Sequence, residues 1–267
     1  VTEKRLDYDR SLVPQETGWW CGPASTQTVL QAKGIRIPER EIAAAIEEIE
    51  NPGRGDDKDG TDWIGIIETY LDRKVPEARY TSVLMPNDPP TQVQKDRLWR
   101  HLVQSIDAGW GVVANIVAPP FNPPRAVKGS TPPPYPRGIT TYHYVALMGY
   151  DDQARAVWVA DSAAFGGITG WWAPFDGPGS ICSLIPPKGY AYADVVAPKP
   201  DPKPEPPKPA PVDFTRTDQE WRATQFGDQD AVAAIVAAAK VDNRGRAALA
   251  LLERVNPAAL QAFITKG

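Results

Sequence analysis

Glu16–Thr28 reads ETGWWCGPASTQT. Cys21 stands directly after two tryptophans and directly before Gly22-Pro23. Proline is tolerated in the first turn of a helix, where its missing N–H would be unpaired anyway. The order therefore marks a sharp turn followed by a helix start at the cysteine. A thiolate is the reactive form of cysteine, and a helix N-terminus stabilises negative charge. Gly22 lets the backbone come close to a substrate. The backbone N–H of Cys21 is then one candidate oxyanion donor, and the carboxamide of Gln15, six positions upstream, is a second. The competing reading makes Cys21 a small buried hydrophobe.

A nucleophile of this kind needs a base. The chain holds two cysteines and two histidines, so Cys–His pairs can be drawn in few ways. His143 lies in Thr141–Tyr150 (TYHYVALMGY), and Asp161 ends Ala156–Asp161 (AVWVAD). The first alternates like a strand, and the second also has strand character. A hairpin symmetric about Asp152 sets His143 opposite Asp161, close enough for the carboxylate to orient the imidazole. His143 would then take the proton of Cys21, with Asp161 holding the ring. His101 reads as a surface or interhelix residue. Cys182 reads as core in an apolar strand (ICSLIP), and a disulfide between Cys21 and Cys182 is formally open. So few histidines disfavour a zinc hydrolase. The acidic loop Asn51–Asp62 (NPGRGDDKDGTD) lacks the register of an EF-hand. No metal and no cofactor is expected.

Working outward, Ala24–Lys33, Glu39–Glu50, Trp63–Arg73 and the stretch Thr91–Ala108 have helical spacing, the last with Leu98, Leu102, Val103 and Ile106 on one stripe. GVVANIVA, YHYVALMGY, AVWVAD and ICSLIP follow as strands. Helices first and strands second predict an α+β fold, N-terminal helices packed on an antiparallel sheet, over residues 1–196. Residues 197–211 (APKPDPKPEPPKPAP) read as an extended proline-rich linker. Residues 212–267 read as a small all-α unit for partner binding, oligomerisation or wall targeting, with Asp228 and Asn256 as helix caps.

The net charge of -4 comes from charges of both signs scattered along the chain, which speaks against a nucleic-acid partner. No apolar run is long enough to span a membrane. The first twenty residues are charged and polar, without a secretory signal pattern. Many of the 29 prolines fall in Ala118–Gly138 (APPFNPPRAVKGSTPPPYPRG). A loop this long just before His143 predicts a semi-rigid recognition segment over the cleft, with Arg125, Lys128 and Arg137 free for anionic groups. Trp19, Trp20, Gly22 and Tyr142 complete the candidate cleft.

PQETGWWCGPASTQTVL, then YHYVALMGYDD and VADS, resembles the papain-like cysteine peptidases of the bacteriocin-leader-processing type. The order Gln15, Cys21, His143, Asp161 matches. The resemblance implies a Cys-His-Asp triad with Gln15 and the Cys21 amide as oxyanion hole. Residues 1–196, including NDPPTQVQKDRLW and IPPKGYAYAD, are further similar to the N-terminal peptidase domain of mycobacteriophage endolysins (lysin A). That implies hydrolysis of peptidoglycan stem peptides in a mycolic-acid-bearing actinobacterial host. It also implies synthesis in the host cytoplasm and action at the wall after the membrane is permeabilised. The short helical tail departs from typical endolysins and suggests a second lysin subunit or self-association. A catalytically silent wall-binding or assembly module, and transglutaminase-like acyl transfer, are the alternatives.

Overall fold

Helix α1 (Cys21–Gln31) is buried along almost its whole length, although it is rich in Ser, Thr and Gln. Three of its polar side chains are satisfied by nearby carbonyls. Thr26 donates to the Gly22 carbonyl at 2.9 Å, Thr28 to that of Ala24 at 3.0 Å, and Gln27 to that of Ile37 at 2.9 Å. Such internal pairing lets a polar helix sit in a core. Gly34, with φ of 72°, supplies the left-handed residue after the helix end.

In the computed structural model, residues 3–55, 58–195, 223, 227–241 and 243–265 are described. The chain divides into two compact units, residues 1–199 and 200–267. In the first, α2 (Glu39–Glu50) and α3 (Ile64–Lys74) join α1 on one face of a sheet. Helices α4 (Gln92–Asp107) and α5 (Ile181–Leu184) cover the other. The fold is α+β, as its helix-then-strand order predicts.

Seven strands form the sheet: β1 (Glu3–Arg5), β2 (Tyr80–Leu84), β3 (Val112–Ala118), β4 (Thr141–Asp151), β5 (Ala156–Asp161), β6 (Gly170–Pro174) and β7 (Gly189–Ala193). Their order is β2-β7-β3-β4-β5-β6, with β1 added to β4, and every pairing is antiparallel. On α4 the buried stripe is Leu98, Leu102 and Ile106, each fully buried. Burying a side chain of this size contributes roughly 1.5–3 kcal/mol. Thr91 and Gln94 close a capping box at the start of α4.

Of the four strands expected, three form, and β1, β2, β6 and β7 are additional. ICSLIP is not a strand, because Ser180 and Ser183 form a capping box that starts the short helix α5 there. Cys182 is nonetheless buried core. Both cysteines are free thiols.

The second unit has its own core, formed by α6 (Gln229–Ala239), α7 (Asn243–Val255) and α8 (Pro257–Ile264). Val232, Ile235, Leu252 and Leu260 are buried in it. Asp228 caps α6 and Asn256 caps α8. The expected linker, 197–211, lies outside the described residues.

Candidate active site

Cys21 is the first residue of α1, preceded by Trp20, which lends no side-chain cap. The sulfur therefore stands where helix N–H groups are unpaired. The N–H groups of Gly22 and Tyr144 and the side chain of His143 are its hydrogen-bond partners. Burial alone raises the thiol pKa. The hydrogen bond and charge of His143, with the two backbone N–H groups, outweigh burial and bring it below the ordinary value.

His143 is buried near the start of β4. Its Nε2 meets Asp161 Oδ1 at 2.8 Å, which leaves Nδ1 as the ring nitrogen for the sulfur. Burial works against the imidazolium. The charge and hydrogen bond of Asp161, together with Cys21, overcome that and push the His143 pKa up. Both shifts favour the thiolate–imidazolium pair.

The hairpin that supplies His143 and Asp161 is not the one expected. Its ends pair Asp151 with Ala156, and a bulge between Leu147 and Gly149 shifts the register. Asp161 consequently faces Val145, and His143 is its diagonal neighbour, not its direct partner. The bulge decides the chemistry. Continued without it, the ladder would set Asp161 opposite Ala146, and its side chain would leave the face that carries His143.

Asp161 is fully buried with three donors. Oδ1 accepts from His143 and from the Ala163 N–H at 3.0 Å, and Oδ2 accepts from the Tyr135 hydroxyl at 2.8 Å. Gln15 is held beside them. Its Nε2 donates to the Thr17 carbonyl at 2.6 Å, its Oε1 accepts from the Ser162 hydroxyl at 3.0 Å, and its N–H donates to the Ser162 carbonyl at 2.9 Å. The carboxamide keeps one N–H beyond the bond to Thr17. Tyr135 and Ser162 went unmarked in the sequence. A lone tyrosine among prolines and a serine after a strand carry no periodicity that would point to them.

With this geometry in place, comparison with protein families finds a match to the peptidase C39-like family over residues 8–175. The chain belongs to the C39-like peptidase family. Among solved structures it is similar to a C39-like peptidase from Bacillus anthracis, at 16% identity and a TM-score of 0.43, covering 72% of this chain and 98% of that one. It is also similar to xylellain, a cysteine protease from Xylella fastidiosa, at 15% identity and a TM-score of 0.43, covering 73% and 87%. No curated protein matches.

Several cleft expectations need correction in this C39-like peptidase. The proline-rich segment does not lie across the cleft as a whole. It runs along the outer edge of β6 as a strap. The Val127 N–H donates to the Trp172 carbonyl at 2.8 Å, and the Trp172 N–H donates to the Ser130 hydroxyl at 2.9 Å. Arg125 is pinned by its N–H to the Gly179 carbonyl at 2.9 Å. Gly179 follows the far end of β6, whereas Asp161 bonds to Thr169 just before its near end. The Arg125 carbonyl also accepts from the Trp171 indole N–H at 3.2 Å, so its backbone is tied to β6 and the turn that follows it. Lys128 is also engaged, by Glu3 and Asp151 at the hairpin end and over the Trp172 ring.

Only the last part of the strap returns to the site. Arg137 is exposed there, and Tyr142, 67% exposed, carries Lys188 over its ring at 5.6 Å. At Gly22, whose N–H bonds to the sulfur, the space a side chain would need is filled by packing. A Cβ there would meet Thr61 Oγ1 at 2.5 Å, because the acidic loop closes on the helix start. Trp19 and Trp20 line a cavity of about 320 Å3 with Pro23, Arg40, Glu47 and Thr61. That cavity lies on the α2 side of the nucleophile. His101 stacks on Tyr192 at 3.8 Å and bonds to Tyr190, remote from the pair. Among the described residues, no group of His, Cys, Asp and Glu could hold a metal ion, and no helix is long and apolar enough to cross a membrane.

Proposed function

We propose that this C39-like peptidase hydrolyses peptide bonds in peptidoglycan stem peptides, as a lysin subunit acting on a mycolic-acid-bearing actinobacterial host. The observation that carries the peptidase chemistry is the convergence of Cys21, His143 and Asp161 at the start of α1. The resemblance of residues 1–196 to mycobacteriophage endolysin domains supports the choice of substrate.

The Cys21 thiolate attacks the scissile carbonyl carbon. Negative charge develops on the carbonyl oxygen, where the Cys21 N–H and the free N–H of Gln15 stabilise it. The C–N bond breaks as His143 gives its proton to the leaving amine, and a thioester remains on Cys21. His143 then takes a proton from water. The hydroxyl adds to the thioester, the C–S bond breaks, and the stem-peptide acid leaves, losing its proton to solvent, while thiolate and imidazolium are restored. Asp161 keeps its charge and orients the ring.

Cys21→Ala is expected to cut the release of new amino groups from purified peptidoglycan by at least about 1,000-fold while the thermal unfolding temperature is retained. Unchanged release in a folded variant would end this reading, whereas a wild type without turnover, with wall binding kept in Cys21→Ala, would mark a silent wall-binding or assembly module. Cross-linked product on adding an amine acceptor would mark acyl transfer instead. Synthesis in the host cytoplasm, action at the wall after permeabilisation, and assembly through 212–267 complete the proposal.

A further inference from the structure

Asp161 holds three donors, and two of them are fixed by its surroundings. His143 is the group it serves, and Ala163 belongs to the same turn of chain. The third, Tyr135, arrives from the strap and takes the other carboxylate oxygen. Its ring is locked. It is 8% exposed and packs edge-on against Phe165 at 5.2 Å and His143 at 6.1 Å. Pro134 fills the space beside Gly166, where a Cβ would meet it at 2.9 Å. Flanking prolines leave the unfolded strap little freedom to lose. Phenylalanine would give the same packing, so packing alone does not call for the hydroxyl.

We infer that Tyr135 is a positioning residue of the thiolate–imidazolium pair: its hydroxyl takes up part of the Asp161 charge and so sets how tightly His143 holds its proton. The inference rests on the peptidase reading for the roles of Cys21 and His143. The sign follows from electrostatics. Without the phenolic donor, the carboxylate acts undivided on the imidazolium. The ring then keeps its proton to higher pH and becomes a poorer acid toward the leaving amine. The titratable groups that face the imidazole are Asp161 on β5, Cys21 on α1 and Tyr135 on the strap. Tyr144 stands beside the sulfur, with Glu50 and Asp62 also acting on it.

Alkylation of Cys21 by iodoacetamide, followed by mass spectrometry across pH on the full chain, tests this without any assumed substrate. Four proteins are compared: wild type, Tyr135→Phe, Asp161→Asn and the double variant. Wild type is expected to alkylate well below the pH of an ordinary thiol. Tyr135→Phe is expected to move the upper inflection, where imidazolium is lost, up by roughly half a unit. It should also slow turnover of a soluble muropeptide by about fivefold at unchanged KM. In the Asp161→Asn background the same substitution should move nothing, because its route is gone. Tyr135→Met repeats the measurement if the phenylalanine variant does not fold. An upper inflection that stays or falls, or an equal shift without the Asp161 charge, overturns the role of Tyr135 alone. A wild-type Cys21 that titrates as an ordinary thiol overturns the peptidase reading as well.

Discussion

Cys21, His143 and Asp161 act through one another, so each has a distinct signature when changed. Asp161→Asn removes the charge that keeps His143 protonated. The pair should then form later on the pH scale, with alkylation of Cys21 at pH 6 falling toward that of a free thiol and kcat/KM dropping roughly 100- to 10,000-fold. Glu39 offers a second pH test. It is buried and accepts the Glu16 N–H, next to Gln15, at 3.1 Å. Burial, with the charge of Glu16 adding to it, raises its pKa from 4.5 to about 7 against the pull of the Glu16 N–H. The folded protein therefore favours the protonated acid, and ionisation costs stability as pH rises through that interval. Glu39→Gln should raise Tm at pH 8 by roughly 2–4 °C and leave it unchanged below pH 5. The cysteine, histidine and aspartate could be read from sequence because each sits at a marked place: a Gly-Pro turn, an alternating strand, a strand end. Tyr135 could not, since its role depends on where a proline strap returns after running the length of β6.

At the scale of elements, the β4–β5 hairpin shows how much a register matters. The strands and their faces follow from alternation, but the turn centre does not. Four residues, 152–155, close the turn, and the bulge at Met148 absorbs one more residue. No pattern in YHYVALMGY sets the two effects apart; Gly149 is its one hint. A Cβ at Gly149 would meet the Lys4 carbonyl at 2.6 Å and Arg5 Cα at 3.0 Å, because β1 crosses there. Gly149→Val should displace β1 and cost about 1–3 kcal/mol, measured by denaturant unfolding. The α5 segment misled for a similar reason. Apolar content suggested a strand, and two serines at capping distance made a helix of it.

For the whole chain, each compact unit carries its own buried cluster of apolar side chains. A protein ending at residue 195 is expected to keep the pH profile of Cys21 alkylation. Light scattering on both forms would then show whether self-association goes with the helical unit. Loss of the profile on truncation would mean that the tail supports the site. The strap has one more effect, on solubility. By occupying the outward N–H and carbonyl of Trp172, it denies that flank of the sheet to a neighbouring molecule. On the opposite flank, the Ser82 N–H of β2 is already taken by Glu68 at 3.0 Å. A stranger's strand finds both borders partly closed, so an edge-to-edge stack of these sheets, the first step of fibril growth, has little to build on.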